Sequence, residues 1–345
     1  MRDSYWDNWK GIAIIAVVAI HASGGTAMFQ EGSFNWLFGL TLRQFIDFAV
    51  PLFLAMSGYF SVNGSNGNVL SYYKGRFIRI IIPYLIWTAA YILIKTPTEA
   101  PSLGELASGI IFGTGIGIGY FVIVLSQLVI LTPLYSKIQK PSHHIIIMAI
   151  ASAIGTIFVY YFSVFNPHHL LSKFPAYALP FFAWYPFYHA GYFLARYKEN
   201  LKIDSTFRKI AIFGFTVSLA FSLIEGSFWA YNENYSFGVS QLKLTSLSAS
   251  LFLFFIAVSF KDKNTFLNRY TPISWLGANS YAIYLMHMLF LIAIQKLLKQ
   301  SDNIYSFQPI YILLSAATAI LTCAVVVFAS QKTMPKSFSR NVLGN

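Results

Sequence analysis

Apolar stretches long enough to cross a bilayer recur from one end of this chain to the other, and they restrict its fold more than any other feature. Ten are read, at residues 11–28, 43–62, 77–95, 118–135, 144–163, 177–195, 208–226, 243–260, 276–297 and 309–330. A hydrocarbon core of about 30 Å takes roughly 20 helical residues to span. Lipid offers no partner to a bare N–H or C=O, so each crossing segment must close its own hydrogen bonds as a helix. The expectation is an all-α, polytopic transmembrane bundle of about ten helices over residues 1–335, with a short cytoplasmic tail at 336–345. Composition agrees, since 56% of the residues are apolar and only 10% are charged, too few charges for an ordinary soluble domain.

Two segments need separate reading. The run from Gly11 to Ala22 is followed by small residues, as the core of a cleaved signal peptide would be. Asp3 and Asp7 beside Arg2 and Lys10 precede it, so it is read as a retained first helix. The Gly-rich stretch from Leu103 to Gly119 is apolar but broken, and is read as a re-entrant or interfacial piece.

The formal net charge of +12 would raise the question of nucleic acid in a soluble protein. Here basic residues collect in cytoplasmic loops and beside anionic headgroups, and no nucleic-acid partner is expected. With the N-terminus in the cytoplasm, 18 of the 24 Lys and Arg residues fall on the cytoplasmic side. Only Arg43, Lys95, Lys173, Lys243, Lys296 and Lys299 fall outside, which predicts that both termini are cytoplasmic. The single cysteine, Cys323, lies in an apolar segment and supports neither a disulfide framework nor a Cys-based metal site. No metal is expected.

Ionisable groups inside spans are costly and are functional candidates by default. His21 follows Lys10 by eleven residues, about 16 Å and three turns of helix, so the two share a side. That spacing puts the imidazole near mid-membrane and the cation near the cytoplasmic interface; the structural alternative is a histidine bonded between helices above an anchoring lysine. Lys74, Arg76 and Arg79 sit at the cytoplasmic mouth of the third helix, where arginine forks suit phosphate oxygens unless they serve as plain interfacial anchors. Asp47, four residues after Arg43, either pairs with that arginine near the outer surface or orients His21. Ser280, Tyr284 and His287 share one face of the ninth helix, as Tyr185, His189 and Tyr192 do in the sixth. Either stripe serves equally as a polar seam between helices. His143, His144, His168 and His169 are assigned no role.

No phosphate-binding glycine loop, H-E-x-x-H, G-x-S-x-G or dinucleotide fingerprint is present. Four motifs do occur in an order that resembles the membrane acyltransferase 3 family, which O-acylates bacterial surface sugars and lipids: KGIAIIAVVAIH, PLFLAMSGYF, RFIRIIIPYL and SYAIYLMH. The family's commonest residue at position 10 is Arg; here it is Lys, which keeps the charge and loses the fork.

The resemblance implies an acyl-CoA-dependent O-acyltransferase of the bacterial inner membrane, with acetyl-CoA or another acyl-CoA as donor and no permanently bound cofactor. It implies a glycan or lipid-linked sugar as acceptor. Under it, Lys10, Lys74, Arg76 and Arg79 hold the CoA phosphates, and His21, oriented by Asp47, either acts as the base or carries the acyl group in an acyl-His intermediate. Ser280, Tyr284, His287 and His189 shape the acceptor side. The readings from other classes are a flippase or transporter of a lipid-linked sugar, which would release no CoA, and a non-catalytic export or sensor subunit.

Overall fold

The computed structural model describes residues 3–62, 68–95, 102–263 and 265–344, and every regular element among them is helical. Arg2 lies outside the described residues, as do the side chains of Lys95, Lys336 and Arg340. In chain order the helices are α1 (Ser4–Ala22), α2 (Phe34–Ile46), α3 (Ala49–Tyr59), α4 (Val69–Lys95), α5 (Leu103–Ile111), α6 (Tyr120–Lys137), α7 (Pro141–Tyr160) and α8 (Tyr185–Tyr197). They continue as α9 (Ser205–Tyr231), α10 (Tyr235–Gly238), α11 (Leu244–Phe260), α12 (Pro272–Ala278), α13 (Ser280–Leu298), α14 (Asp302–Tyr305), α15 (Gln308–Thr333) and α16 (Lys336–Leu343).

Eight segments among the described residues are long and apolar enough to cross a membrane, against the ten expected. The expected span at 243–260 is α11, apolar but only 17 residues long. The expected span at 177–195 is not one helix: two 3₁₀ turns, Ala176–Ala178 and Phe181–Ala183, precede the 13-residue α8. Pro180 and Pro186 explain the break, because proline lacks an N–H and steers the residue before it away from helical angles. Pro186 is accommodated at the first positions of α8. The expected second span falls within one of the eight segments, Phe34–Tyr59, which is made of α2 and α3.

The first helix begins earlier than the hydropathy indicates. Asp3 caps it by accepting a hydrogen bond from the Tyr5 N–H, so the polar residues from Ser4 to Lys10 are helical as well. His21 therefore stands in the last turn of α1, about 26 Å from its first residue, rather than half-way along. The Gly-rich stretch folds as the nine-residue α5 and a tight turn. Ser102 and Glu105 form a capping box at its start, and Gly113 and Gly117 adopt φ of +70° and +79°, which a residue with a Cβ rarely tolerates.

Two compact units are present, one of residues 1–52 with 203–339 and one of 53–202 with 340–344. In the first, α1 lies against α12, α13 and α15. A Cβ on Gly11 would stand 2.0 Å from the Ile273 carbonyl oxygen, and one on Gly277 would stand 1.7 Å from that of Asp7. Both helices are therefore in backbone contact, the close approach that small residues permit where lipid removes the drive to bury apolar area. Val18 and Ala22 of α1 pack with Leu291 of α13 and with Tyr311, Ile312, Ala316, Ala319 and Ile320 of α15.

In the second unit, α3 and α8 meet in the same way: a Cβ on Gly58 would lie 1.9 Å from the Tyr188 carbonyl oxygen, and one on Gly191 1.9 Å from that of Ala55. The segment expected as a short cytoplasmic tail contains α16, whose Val342 carbonyl accepts a hydrogen bond from the Trp87 indole at 3.1 Å.

Gly277→Val is expected to lower stability in detergent by about 1–3 kcal/mol, the usual range for overpacking. Gly75→Ala, inside α4 at a position with nothing within 4 Å, should melt at or slightly above the unsubstituted protein, because alanine favours a helix over glycine. Equal melting of the two variants would contradict the close crossing of α1 and α12.

Candidate active site

His21 and His287 come together in the first unit, their ring centroids 5.3 Å apart and tilted by 43°. The end of α1 is fixed by side chains that satisfy its free carbonyls, as a helix terminus requires. Ser23 Oγ donates to the Ile20 carbonyl at 2.9 Å, and Gln295 Nε2, two turns beyond His287 on α13, donates to that of Ala22 at 3.0 Å. The packing of Val18 and Ala22 against Leu291 sets α1 and α13 side by side between these bonds.

The tautomer of His287 follows from its partners. Its Nδ1 lies 2.8 Å from the Tyr284 carbonyl and 3.2 Å from that of Ile283. Carbonyl oxygens only accept, so Nδ1 carries the proton, and in the neutral ring Nε2 presents a lone pair. That Nε2 is buried and has no hydrogen-bond partner. His21 itself keeps accessible surface. Two imidazoles with uncommitted nitrogen thus sit together between α1 and α13. Tyr284 lies beside them, its ring 6.0 Å from that of His287, and Ser280 is buried one turn earlier on α13.

Asp47 does not carry out the expected orientation of His21. Its Oδ1 accepts from Arg43 Nε at 3.0 Å, while Oδ2 has no hydrogen bond and lies 3.9 Å from Lys243 Nζ. The cause is helical spacing, because Arg43 and Asp47 are four apart at the end of α2 and share a face. Lys243, fully buried, donates to the Ser240 carbonyl at 2.9 Å and to Ser246 Oγ at 3.0 Å. From Ser246 a polar chain continues to Ser222 at 3.1 Å, to Gln44 Oε1 at 2.8 Å, and from Gln44 Nε2 to the Gly238 carbonyl. Glu225 of α9 accepts from the Thr245 hydroxyl. Sequence reading missed this network except for the Arg43–Asp47 spacing, because Lys243 passes for an ordinary loop cation.

Lys10 pairs with Asp7 at 3.1 Å, three residues away on α1. In the second unit, Arg76 donates to the Phe60 carbonyl at 3.0 Å and stands 5.8 Å over the Tyr72 ring, while Lys74 and Arg79 are exposed. His189 pairs there with His144, which sequence reading left without a role. His144 Nε2 donates to the Ile138 carbonyl at 3.1 Å, so its Nδ1 accepts from His189 Nε2 at 2.7 Å. The remaining His189 Nδ1 is buried without a hydrogen-bond partner, and the ring stacks on Tyr135 at 4.4 Å. Beside this pair, Lys137, Lys140 and His143 line a cleft of about 460 Å³.

Helices throughout the described residues, eight segments of them long and apolar enough to cross a membrane, define an integral-membrane protein. The chain belongs to the acyltransferase 3 family, whose model, described as an acyltransferase domain, matches residues 3–329. It is also similar to YfiQ of Bacillus subtilis (strain 168), provisionally named a membrane-bound acyltransferase, at 21% identity over 321 residues covering 89% of this chain and 86% of that protein. No solved structure matches. The chain is thus a multi-pass membrane protein of an acyltransferase family.

Lys243→Met should lower stability on the order of 3 kcal/mol, the usual scale for removing one partner of a buried pair, as read by thermal unfolding in detergent. Lys74→Met, at an exposed site, should melt with the unsubstituted protein. Equal melting of both variants would mean that Lys243 does not support the buried charges.

Proposed function

We propose that this protein is an acyl-CoA-dependent O-acyltransferase of the bacterial cytoplasmic membrane. It moves a short acyl group, acetyl in the first instance, to a hydroxyl of a cell-surface polysaccharide or its lipid-linked precursor. The observation that carries this reading is the His21–His287 pair, in which the buried His287 Nε2 has no hydrogen-bond partner and His21 keeps accessible surface for a ligand. Membership of an acyltransferase family supports the reaction type and speaks against the flippase reading.

The reaction follows from acid–base chemistry at one imidazole. The acceptor oxygen bonds to the thioester carbonyl carbon while its proton passes to His21. The tetrahedral intermediate then expels sulfur, and His21 returns the proton to the departing thiolate. The products are an acyl ester and free CoA, with His21 neutral again. His287, whose Nδ1–H is committed to backbone, accepts a hydrogen bond at Nε2 from the acceptor sugar, and Tyr284 and Ser280 shape that side.

Both termini lie in the cytoplasm in this proposal, as the distribution of basic residues favours. Lys74, Arg76 and Arg79 bind the CoA phosphates, with Lys10 as a further cation on the cytoplasmic side. Arginine forks suit phosphate, and Arg79 is exposed for such a contact. His189, paired with His144, is proposed to contact the acceptor through its free Nδ1.

Native membrane vesicles given acetyl-CoA should release free thiol, and His21→Ala should cut that rate about 10²–10⁴-fold, the span of a lost general base. Arg76→Ala with Arg79→Ala should raise KM for acetyl-CoA and leave kcat nearly unchanged, the mark of lost ground-state binding. Wild-type turnover in His21→Ala at normal expression would remove the base assignment; an unchanged KM would remove the phosphate contact.

A further inference from the structure

We propose that Arg43 is a catalytic residue: its guanidinium donates hydrogen bonds to the thioester carbonyl oxygen as that oxygen becomes an oxyanion. The inference rests on the acyl-transfer reading above and adds to it the one component that His21 and His287 do not supply. Acyl transfer through a tetrahedral intermediate puts negative charge on the former carbonyl oxygen. Stabilising that charge with preset donors is commonly a large share of catalysis. His21 handles the proton, and His287 presents a lone pair on its free nitrogen, which repels rather than stabilises an anion.

Arg43 has the required features. Its Nε is held by Asp47 Oδ1 at 3.0 Å, and Asp47 is buried, with Lys243 3.9 Å from its other oxygen. This clamp takes one edge of the guanidinium and fixes its plane. The terminal nitrogens Nη1 and Nη2 make no hydrogen bond among the described residues and are not fully enclosed, since the side chain keeps 14% of its accessible surface. His21 likewise keeps accessible surface, while Asp47, Lys243 and His287 have essentially none. On α2, a Cβ on Gly39 would stand 2.1 Å from Thr26 Oγ1, and Leu42 packs on the cluster that holds Val18 and Ala22, so the end of α2 that carries Arg43 runs alongside the last turn of α1, where His21 stands. Asp47 and Glu225 offset the charges of Arg43 and Lys243, so the cluster carries little net charge and its donors, rather than bulk positive potential, meet the oxyanion. On this account Asp47 and Lys243 are positioning residues that act through Arg43.

No covalent change occurs at Arg43. As the acceptor oxygen bonds to carbon and its proton moves to His21, the C=O electron pair moves onto oxygen and is held by the Nη–H groups. It returns as the C–S bond breaks.

The test is acetyl-CoA-dependent thiol release by native membrane vesicles carrying the full chain, with Arg43→Gln, Arg43→Lys, Asp47→Asn and the double variant Arg43→Gln/Asp47→Asn. Arg43→Gln should lower kcat about 10²–10³-fold, the scale of a lost oxyanion donor, with KM for acetyl-CoA within about twofold. Arg43→Lys, which keeps the charge but loses the fork, should recover part of the rate. The double variant removes the unpaired Asp47 charge, so a merely structural Arg43 would regain activity in it, whereas an oxyanion donor leaves it as slow as Arg43→Gln. Recovery in the double variant, or a KM effect without a kcat effect, overturns the proposal. If Arg43→Gln alone fails to accumulate, the kcat of Arg43→Lys at unchanged melting decides in its place: a full rate rejects the role. Absence of thiol release by the unsubstituted protein would instead reject the acyl-transfer reading itself.

Discussion

Backbone contact between α1 and α12 is the interaction on which the first unit depends. Gly11 and Gly277 leave no room for a side chain between the two helices, and this seats α1 in the bundle at a fixed depth. Its far end is then held by Ser23 and by Gln295 of α13. In this packing the ring of His21 stands beside that of His287. In lipid, where burying apolar area does not by itself favour one helix pairing over another, such close packing and a few directed hydrogen bonds decide the arrangement.

The same unit accepts a cost that a purely structural bundle would avoid. Four ionisable side chains, Arg43, Asp47, Lys243 and Glu225, are drawn into one region, with Lys243 fully buried. Removing such groups from water costs several kcal/mol each unless they are paired and hydrogen-bonded. Here Lys243 finds a carbonyl and a hydroxyl, and Asp47 finds Arg43. The network is nearly but not wholly satisfied, since Asp47 Oδ2 accepts no hydrogen bond and meets only Lys243 Nζ at 3.9 Å; elsewhere in the unit His287 Nε2 also lacks a hydrogen-bond partner. Partly satisfied polar groups at such depth are where function is to be sought.

Hydropathy made the helical class and most segments legible, because a crossing helix needs a long apolar run and little else does. It missed their ends. Asp3 extends α1 through residues too polar to be counted, which moves His21 to the last turn, and Pro180 and Pro186 divide a stretch apolar enough to pass for one helix. Of the site, His21 and His287 were legible as imidazoles in apolar runs. The Arg43–Asp47 pair was legible from spacing, but its competition with His21 for the same carboxylate could be resolved only by side-chain geometry. Lys243 and His144 were not legible, since a lysine or histidine at the edge of a span looks the same whether it faces water or turns inward.

The central claim is that acyl transfer takes place at His21. Cryo-electron microscopy of the full chain in lipid nanodiscs, with a ketone analogue of acetyl-CoA in which a CH₂ replaces the reactive sulfur, tests it most directly. The account predicts the analogue's carbonyl carbon next to the His21 ring, with its oxygen within hydrogen-bond distance of the Arg43 guanidinium. An analogue bound with its carbonyl beside the His144–His189 pair, and no density at His21, would contradict it.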